Sequence, residues 1–409
     1  MNRYLLPALA AVVSLGAASL WASAAPAQQM HMHAAAAACT GNDIACAKVA
    51  TPAFAPDGSL WLAWAAGGKV MVVRSTDLGK TFGAAVAVNA EPAKLDSGPD
   101  ARPKIVVDSG GAIDIAYAVF QDEHYDGRVY FSRSEDQGAH FAAAQPITGD
   151  TTSQRFETLA LDPGGGLFAA WLDKRDAAAA RRQGQTYPGA ALAYAWAGPD
   201  GGSFSPARIA VDDTCECCRL AVAFAGPHRP VVLFRDIFDK TTRDHAVVTF
   251  TDAETPGPVS RVSVDDWKTN VCPHQGPTLA IGRDGTYHAA WFTDGQARKG
   301  LFYARSRDGG ATFTTPMAVG SFERHAARPY LWTEGEKVWL VWKEFDGENT
   351  AVKLIASGDD GATWSAPATI ASTADASDHP LLIARRGVVY LSWLTRREGY
   401  RLMPLEDPE

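Results

Sequence analysis

The sequence predicts an all-β protein assembled from repeated four-stranded sheets, and three observations carry that expectation. One short pattern, Ser-x-Asp-x-Gly-x-(Thr/His)-(Phe/Trp), occurs four times, at residues 75–82, 134–141, 306–313 and 357–364. A longer unit of strand, Gly-containing turn and strand with a closing aromatic recurs seven times. The 409 residues include 12 Trp, 37 Gly and 24 Pro among alternating apolar positions, and no stretch keeps a long helical period.

The short pattern reads as a hairpin turn between strand-like runs, such as 69–75 and 84–89 around the first copy. Its Asp can accept hydrogen bonds from turn N–H groups and its Gly takes a φ > 0 position. The terminal aromatic is expected to pack the turn onto its own sheet. The second copy departs from the others, with His140 in place of Thr. These residues resemble the Asp-box of the sialidase (BNR-repeat) superfamily of β-propellers, over nearly the whole mature chain. The resemblance implies a propeller fold and says little of activity, because such folds host many functions.

The closing aromatics of the longer unit are Trp64, Tyr117, Trp171, Phe234, Trp291, Trp342 and Trp393, spaced 51 to 63 residues apart. First strands are expected to begin near Pro52, Pro103, Glu157, Leu220, Pro277, Pro329 and Pro380. The architecture expected is a β-propeller of seven four-stranded blades with Asp-boxes, the six-bladed sialidase type being the alternative. The box turns are degraded in the third and fourth units, around 198–204 and 251–256. The last unit holds about three strands, and the segment around 45–50 is expected to supply the fourth and close the ring.

The first 27 residues read as a signal peptide: Arg3, an apolar run from Leu5 to Trp21, then small residues suited to cleavage. Residues 28–48 follow as a flexible tail and closing segment, and 49–409 as the propeller. The mature protein is expected to be periplasmic or secreted, with no stable membrane span. Net charge is −8, and Lys and Arg are scattered among Asp and Glu, which argues against a nucleic-acid partner.

Strand order locates the chemistry. In a four-stranded meander the start of the first strand and the end of the second share one end of the blade, opposite the box turn. The segments before each first strand therefore converge on one face, bringing Arg102, Arg155, Cys215-Glu216-Cys217-Cys218-Arg219, Cys272-Pro273-His274, His325, Arg328 and His379 together. Loops after the second strands add Asp122, Tyr125 and others to the same face.

Four of the six Cys fall in two adjacent connections on that face. In an exported protein an even Cys count points to disulfides: Cys39 with Cys46, and Cys272 with one member of the run. A bond between adjacent Cys217 and Cys218 would be strained. The competing reading is a soft-metal site in which Cys215, Cys217, Cys218 and Cys272 are thiolate ligands and His274 an imidazole ligand, copper first and zinc second. If the cysteines are disulfide-bonded, no cofactor is expected. Met30, His31, Met32 and His33 form a second cluster of copper-type ligands, in the tail.

The sialidase resemblance implies instead an exo-glycosidase: an Arg triad gripping a substrate carboxylate, a Tyr nucleophile and an Asp acid. Arg102, Arg219 and Arg328 occupy equivalent positions, with Asp122 and Glu157 as acidic candidates. No Tyr and Glu stand out as a pair, and paired Arg–Asp caps on the blades explain the same residues without catalysis. A third class is a scaffold that binds a glycan or another exported protein.

Overall fold

Cys39 and residues 41–406 other than 188 are described by the structure, a computed structural model. The signal segment and the Met30–His33 tail lie outside the described residues. Every repeat folds as an antiparallel meander, because short turns join strands whose alternate residues are apolar. Blade 1 comprises Ala50–Phe54, Leu60–Ala66, Lys69–Ser75 and Val86–Ala87. Blade 2 comprises Lys104–Val107, Ile113–Phe120, Gly127–Ser134 and Gln145–Pro146, with Leu95–Asp96 also paired to its second strand. Blade 3 runs through Gln154–Leu161, Leu167–Asp173, Ala190–Ala197 and Arg208–Thr214, and blade 4 through Ala221–Phe224, Pro230–Arg235, His245–Phe250 and Pro256–Arg261. Blade 5 uses Thr278–Ile281, Tyr287–Asp294, Lys299–Ser306 and Met317–Val319, and blade 6 uses Ala327–Glu334, Lys337–Phe345, Thr350–Ser357 and Ala368–Thr373. Blade 7 has three strands, Leu381–Arg385, Val388–Thr395 and Gly399–Pro404. The fold is a seven-bladed β-propeller.

All seven closing aromatics lie on second strands, each no more than 3 % exposed. Each such ring removes about 150–250 Å² from water, about 4–6 kcal/mol of gross hydrophobic stabilisation. Their 51–63-residue spacing is thus the spacing of the blade cores.

The four Ser-x-Asp-x-Gly turns share one set of bonds. The Ser Oγ accepts from the Gly N–H at 2.8–2.9 Å, and the Asp Oδ1 accepts from the backbone N–H four residues on at 2.8–2.9 Å. The Thr hydroxyl donates to the second carboxylate oxygen in three turns, and His140 Nδ1 takes that place in the fourth, 2.7 Å from Asp136 Oδ2. Each Gly has φ between 72° and 89°. The aromatics, however, do not pack only on their own blades. Trp364 of blade 6 meets Tyr303 of blade 5 edge-on at 4.8 Å, and Phe82 of blade 1 meets Tyr400 of blade 7 at 6.0 Å. A Cβ at Gly138 of blade 2 would sit 2.7 Å from the Trp61 ring of blade 1. The turns are interblade contacts, reaching back to the preceding blade.

One further expectation is corrected. Residues 45–50 do not form a fourth strand for blade 7: Ile44–Cys46 is a 3-10 turn capped by Asp43, which accepts from Ala45 N at 2.8 Å, and Ala50 begins blade 1. Closure falls to side chains instead. Asp378, before the first strand of blade 7, accepts the Ala50 N–H of blade 1 at 3.0 Å and a two-pronged ion pair from Arg102, ahead of blade 2, at 2.9 and 2.5 Å. Among the described residues there is also one α-helix, Arg175–Arg182, in the loop after the second strand of blade 3. Its four consecutive Ala favour helix, but it buries no residue, so it carries no apolar period. Cys39 and Cys46 are both disulfide-bonded, as expected. Among the described residues no helix is long and apolar enough to cross a membrane.

Candidate functional site

The connections before the first strands do converge, around an axial cavity of about 270 Å³. Arg102, Lys104, Thr158, Arg219, Tyr330 and His379 are among the side chains that line it. The arginines of this face are already engaged. Arg102 is bound to Asp378, while Arg219 and Arg328 share Asp100 at 3.1 and 3.2 Å. Arg219 also donates to the Pro329 carbonyl at 2.9 Å, and Arg328 to that of His274. Arg328 has φ 61° at a break in strand register, a strained backbone that turns its guanidinium toward blade 5.

Glu157 sits at the matching irregularity of blade 3, beside Phe156 at φ 56°. It is buried, and neither carboxylate oxygen has a hydrogen-bond partner. Burial pushes its carboxyl up to about 7, with the Lys104 ammonium opposing. Burial likewise pulls Lys104 down to about 8. Asp122 lies apart, on an exposed turn where Oδ1 accepts the N–H groups of His124 and Asp126 at 2.9 and 3.1 Å. Those bonds, the Asp126 N–H first, hold it below the ordinary carboxylate range, so it suits a turn cap better than a proton donor.

The cysteine run forms a second feature beside the cavity. It follows Thr214, the last residue of blade 3, which bridges to Asp236; Cys215 N then donates to the Arg235 carbonyl of blade 4 at 2.9 Å. The turn this enforces folds the thiols inward. The sulfurs of Cys215, Cys217 and Cys218 lie within 4.8 Å of one another, all three buried, with Cys215 and Cys217 3.5 Å apart. Cys272 arrives from the connection between blades 4 and 5, and its thiol interacts with that of Cys217. The two connections close tightly because residue 276 is Gly: a Cβ there would lie 2.1 Å from Arg219 Cγ. Cys215, Cys217, Cys218 and Cys272 are all free thiols. His274 is exposed, and its side chain is outside the trio; its ring centroid lies 5.9 Å from that of Phe156.

Hydrogen bonding sorts the thiols. Bonds from Cys217 and Cys218, helped by Arg235 and Arg243, hold Cys215 far below the ordinary thiol range. Cys217 is pushed far up by its bonds to Cys215, Cys218 and Cys272, and Cys218 up to about 12, chiefly by its bond to Cys215. Two contributors carry no sequence signal. Arg243, before the third strand of blade 4, donates to Cys215 Sγ at 3.3 Å. His245 is 1 % exposed with both ring nitrogens unpartnered, and burial first, then Arg235, holds it well below the ordinary imidazole value. Asp100 and Asp378, which anchor the arginines, were legible only as acids near the strand starts.

Three thiolates about 2.3 Å from one metal in a trigonal plane lie about 4.0 Å apart. The trio, with one pair at 3.5 Å and every pair within 4.8 Å, is compatible with that separation. None of the four cysteines lines the axial cavity, so the thiol cluster does not displace it. The face therefore carries two features side by side.

The architecture has relatives among polysaccharide lyases. An ulvan lyase solved with a GlcA-containing saccharide superposes with a TM-score of 0.55 at 10 % identity, over 87 % of this chain and 91 % of the lyase. Polysaccharide lyase Uly1 gives 0.53 at 11 % identity, over 85 % and 86 %. An alpha-L-arabinanase of Penicillium chrysogenum gives 0.45 at 15 %, over 77 % and 94 %. At these identities the likeness is one of fold. No protein-family model matches the sequence, and neither does any curated protein sequence.

Proposed function

We propose that this propeller is an exported, non-hydrolytic protein that binds a soft metal ion, Cu(I) ahead of Zn(II), through Cys215, Cys217 and Cys218. The convergence of three buried, unoxidised thiols to within 4.8 Å carries the reading. Soft thiolates select Cu(I), whereas structural zinc takes four ligands, and here only three lie within mutual reach among the described residues. Three thiolates round Cu(I) leave a net charge of −2. Arg243, bonded to Cys215, and Arg235 alongside supply compensating cations. The bonds that the other thiols and Arg243 direct at Cys215 favour its thiolate, the form that binds a metal.

Metal analysis of protein purified from its native compartment, with a count of free thiols, tests this. The expected result is close to one copper per chain, lost on joint Cys217→Ser and Cys218→Ser substitution. Metal-free protein with no free thiols would make the cluster a disulfide staple and end the reading.

A second reading concerns the axial cavity, as a binding site for an acidic sugar. The observation that favours it is the cationic lining of Arg102, Lys104 and Arg219 with Tyr330 and Thr158 among them. The fold-level likeness to a lyase solved with a GlcA-containing saccharide is compatible with this. Hydrolysis of the sialidase kind is a narrower version, for which Asp122 is misplaced on an exposed turn and the buried Glu157, pushed up to about 7 near Lys104, is the remaining acid. Calorimetry with uronate oligosaccharides and turnover of a fluorogenic sialoside separate binding from hydrolysis; sialoside turnover lost on Arg328→Ala would establish the enzyme.

A further inference from the structure

We propose, resting on the soft-metal reading, that Cys272 is the exchange position of the thiolate site, where incoming Cu(I) first binds before passing to the buried trio. The four sulfurs are graded in access. Cys215, Cys217 and Cys218 are 1, 3 and 2 % exposed, whereas Cys272 is exposed. They are also graded in proximity: Cys272 interacts with Cys217, yet it is not one of the sulfurs that all lie within 4.8 Å of one another. A metal on Cys272 is therefore within reach of Cys217, and a metal centred in the trio has left Cys272 behind.

The backbone supports this division of roles. The trio belongs to a tight turn pinned to blade 4 by the Cys215 N–H bond and the Thr214–Asp236 bridge. Cys272 lies in the irregular connection from 262 to 277, next to Val271, which is 63 % exposed. Without an outer sulfur, a site this buried would fill only when the blades open locally. An outer sulfur on the connection packed against the cysteine run, where Gly276 meets Arg219, gives a route of successive ligand exchanges with the fold intact.

The steps balance without any redox change. The Cys272 Sγ–Cu bond forms as a carrier–Cu bond breaks and the Cys272 proton passes to water. The Cys217 Sγ–Cu bond forms as the Cys217 proton passes to water. Cys215 and Cys218 then bind as their protons pass to water, and the Cys272–Cu bond breaks as Cys272 takes a proton back. Copper remains Cu(I) throughout.

The test is anaerobic stopped-flow transfer of Cu(I) from its bicinchoninate complex to the fully reduced full-length mature protein, followed by loss of the complex's colour. Wild type and Cys272→Ser are expected to reach the same end point of about one Cu(I) per chain, the variant at least tenfold more slowly. Cys217→Ser is expected to miss that end point. Transfer to Cys272→Ser at the wild-type rate would overturn the exchange role alone. Failure of Cys272→Ser to reach the end point would also overturn it, by making Cys272 a holding ligand. A wild type that takes up no Cu(I) would remove the metal reading itself.

Discussion

Replacing Arg102 by Met tests whether side chains, in place of a shared strand, close this ring. Arg102 and Asp378 are 5 % and 1 % exposed, paired through both guanidinium nitrogens, and Asp378 also accepts the Ala50 N–H. Blades 7, 1 and 2 thus meet at one carboxylate. Methionine fills much of the arginine's volume but leaves that carboxylate buried without its counter-charge. Removing one partner of a buried pair costs about 3–5 kcal/mol. With roughly 370 residues in the propeller and about 2.1 cal/mol/K per residue, the unfolding entropy is about 0.8 kcal/mol/K. The expected fall in Tm is then about 4–6 °C.

Calorimetry of Arg102→Met, Asp378→Asn and the double variant completes the cycle. Because the double variant removes the stranded charge, it should lose much less than the sum of the singles, by more than about 1 kcal/mol. A single-variant shift below about 1 °C, or additivity within about 0.5 kcal/mol, would refute the clamp and return closure to hydrophobic packing.

Acid stability should depend on the four box aspartates. Asp77, Asp136, Asp308 and Asp359 are each held at about 2, below the ordinary 3.8; the Thr hydroxyl is the largest cause for Asp77 and Asp308, the backbone N–H four residues on for Asp136 and Asp359. Depressed folded-state values stabilise above pH 4, and that contribution is lost as pH falls through about 2. Acid titration of a variant with Asn at all four positions should show a flatter fall between pH 4 and 2, and an unchanged slope would contradict the assignment. Gly138→Ala should cost more than Gly111→Ala in urea unfolding. Both residues have positive φ, but only at 138 does a Cβ meet the Trp61 ring, at 2.7 Å, while nothing lies within 4 Å at 111. The excess, about 1–3 kcal/mol, measures the interblade contact, and equal costs would mean that backbone strain alone is at stake.

The blade count and strand order were legible because they rest on local chemistry. A box turn is set by its own Ser, Asp and Gly, and an aromatic such as Trp171 or Trp342 marks a second strand by being the bulkiest buried group there. The partners of these residues were not legible. Nothing within 357–364 specifies that Trp364 meets Tyr303, 61 residues earlier, rather than its own blade. The closing strand was misjudged for a related reason. Edge satisfaction argued for one, but the backbone need at Ala50 is met by a carboxylate 328 residues away. At the site, convergence of the cysteines followed from topology alone. The exclusion of His274, and the presence of Arg243 and His245, depend on side-chain direction, which strand order does not contain.

The box turns also bear on where a site can arise. They join blades 7 to 1, 1 to 2, 4 to 5 and 5 to 6, each reaching back from its own blade, as in the pair from Asp360 to His288 or the bond from Thr249 Oγ1 to the Gly309 carbonyl. The seam between blades 3 and 4 has no intact box and is held otherwise. Phe168, Tyr194 and Phe250 pack there, and Trp196 Nε1 and the Tyr194 hydroxyl donate to the carbonyls of Ala253 and Glu254. The cysteine trio sits in the same cluster of buried residues, at the opposite end of the seam from the degraded turn. With aromatic packing holding the seam near its degraded turn, the polar bonds at its functional end serve the cysteine run itself: Lys174 pairs with Glu216 at 2.7 Å and Arg243 donates to Cys215 Sγ. That leaves the turn after Thr214 able to present three sulfurs inward without a carboxylate partner of the kind that Asp100 and Asp378 provide to the neighbouring arginines.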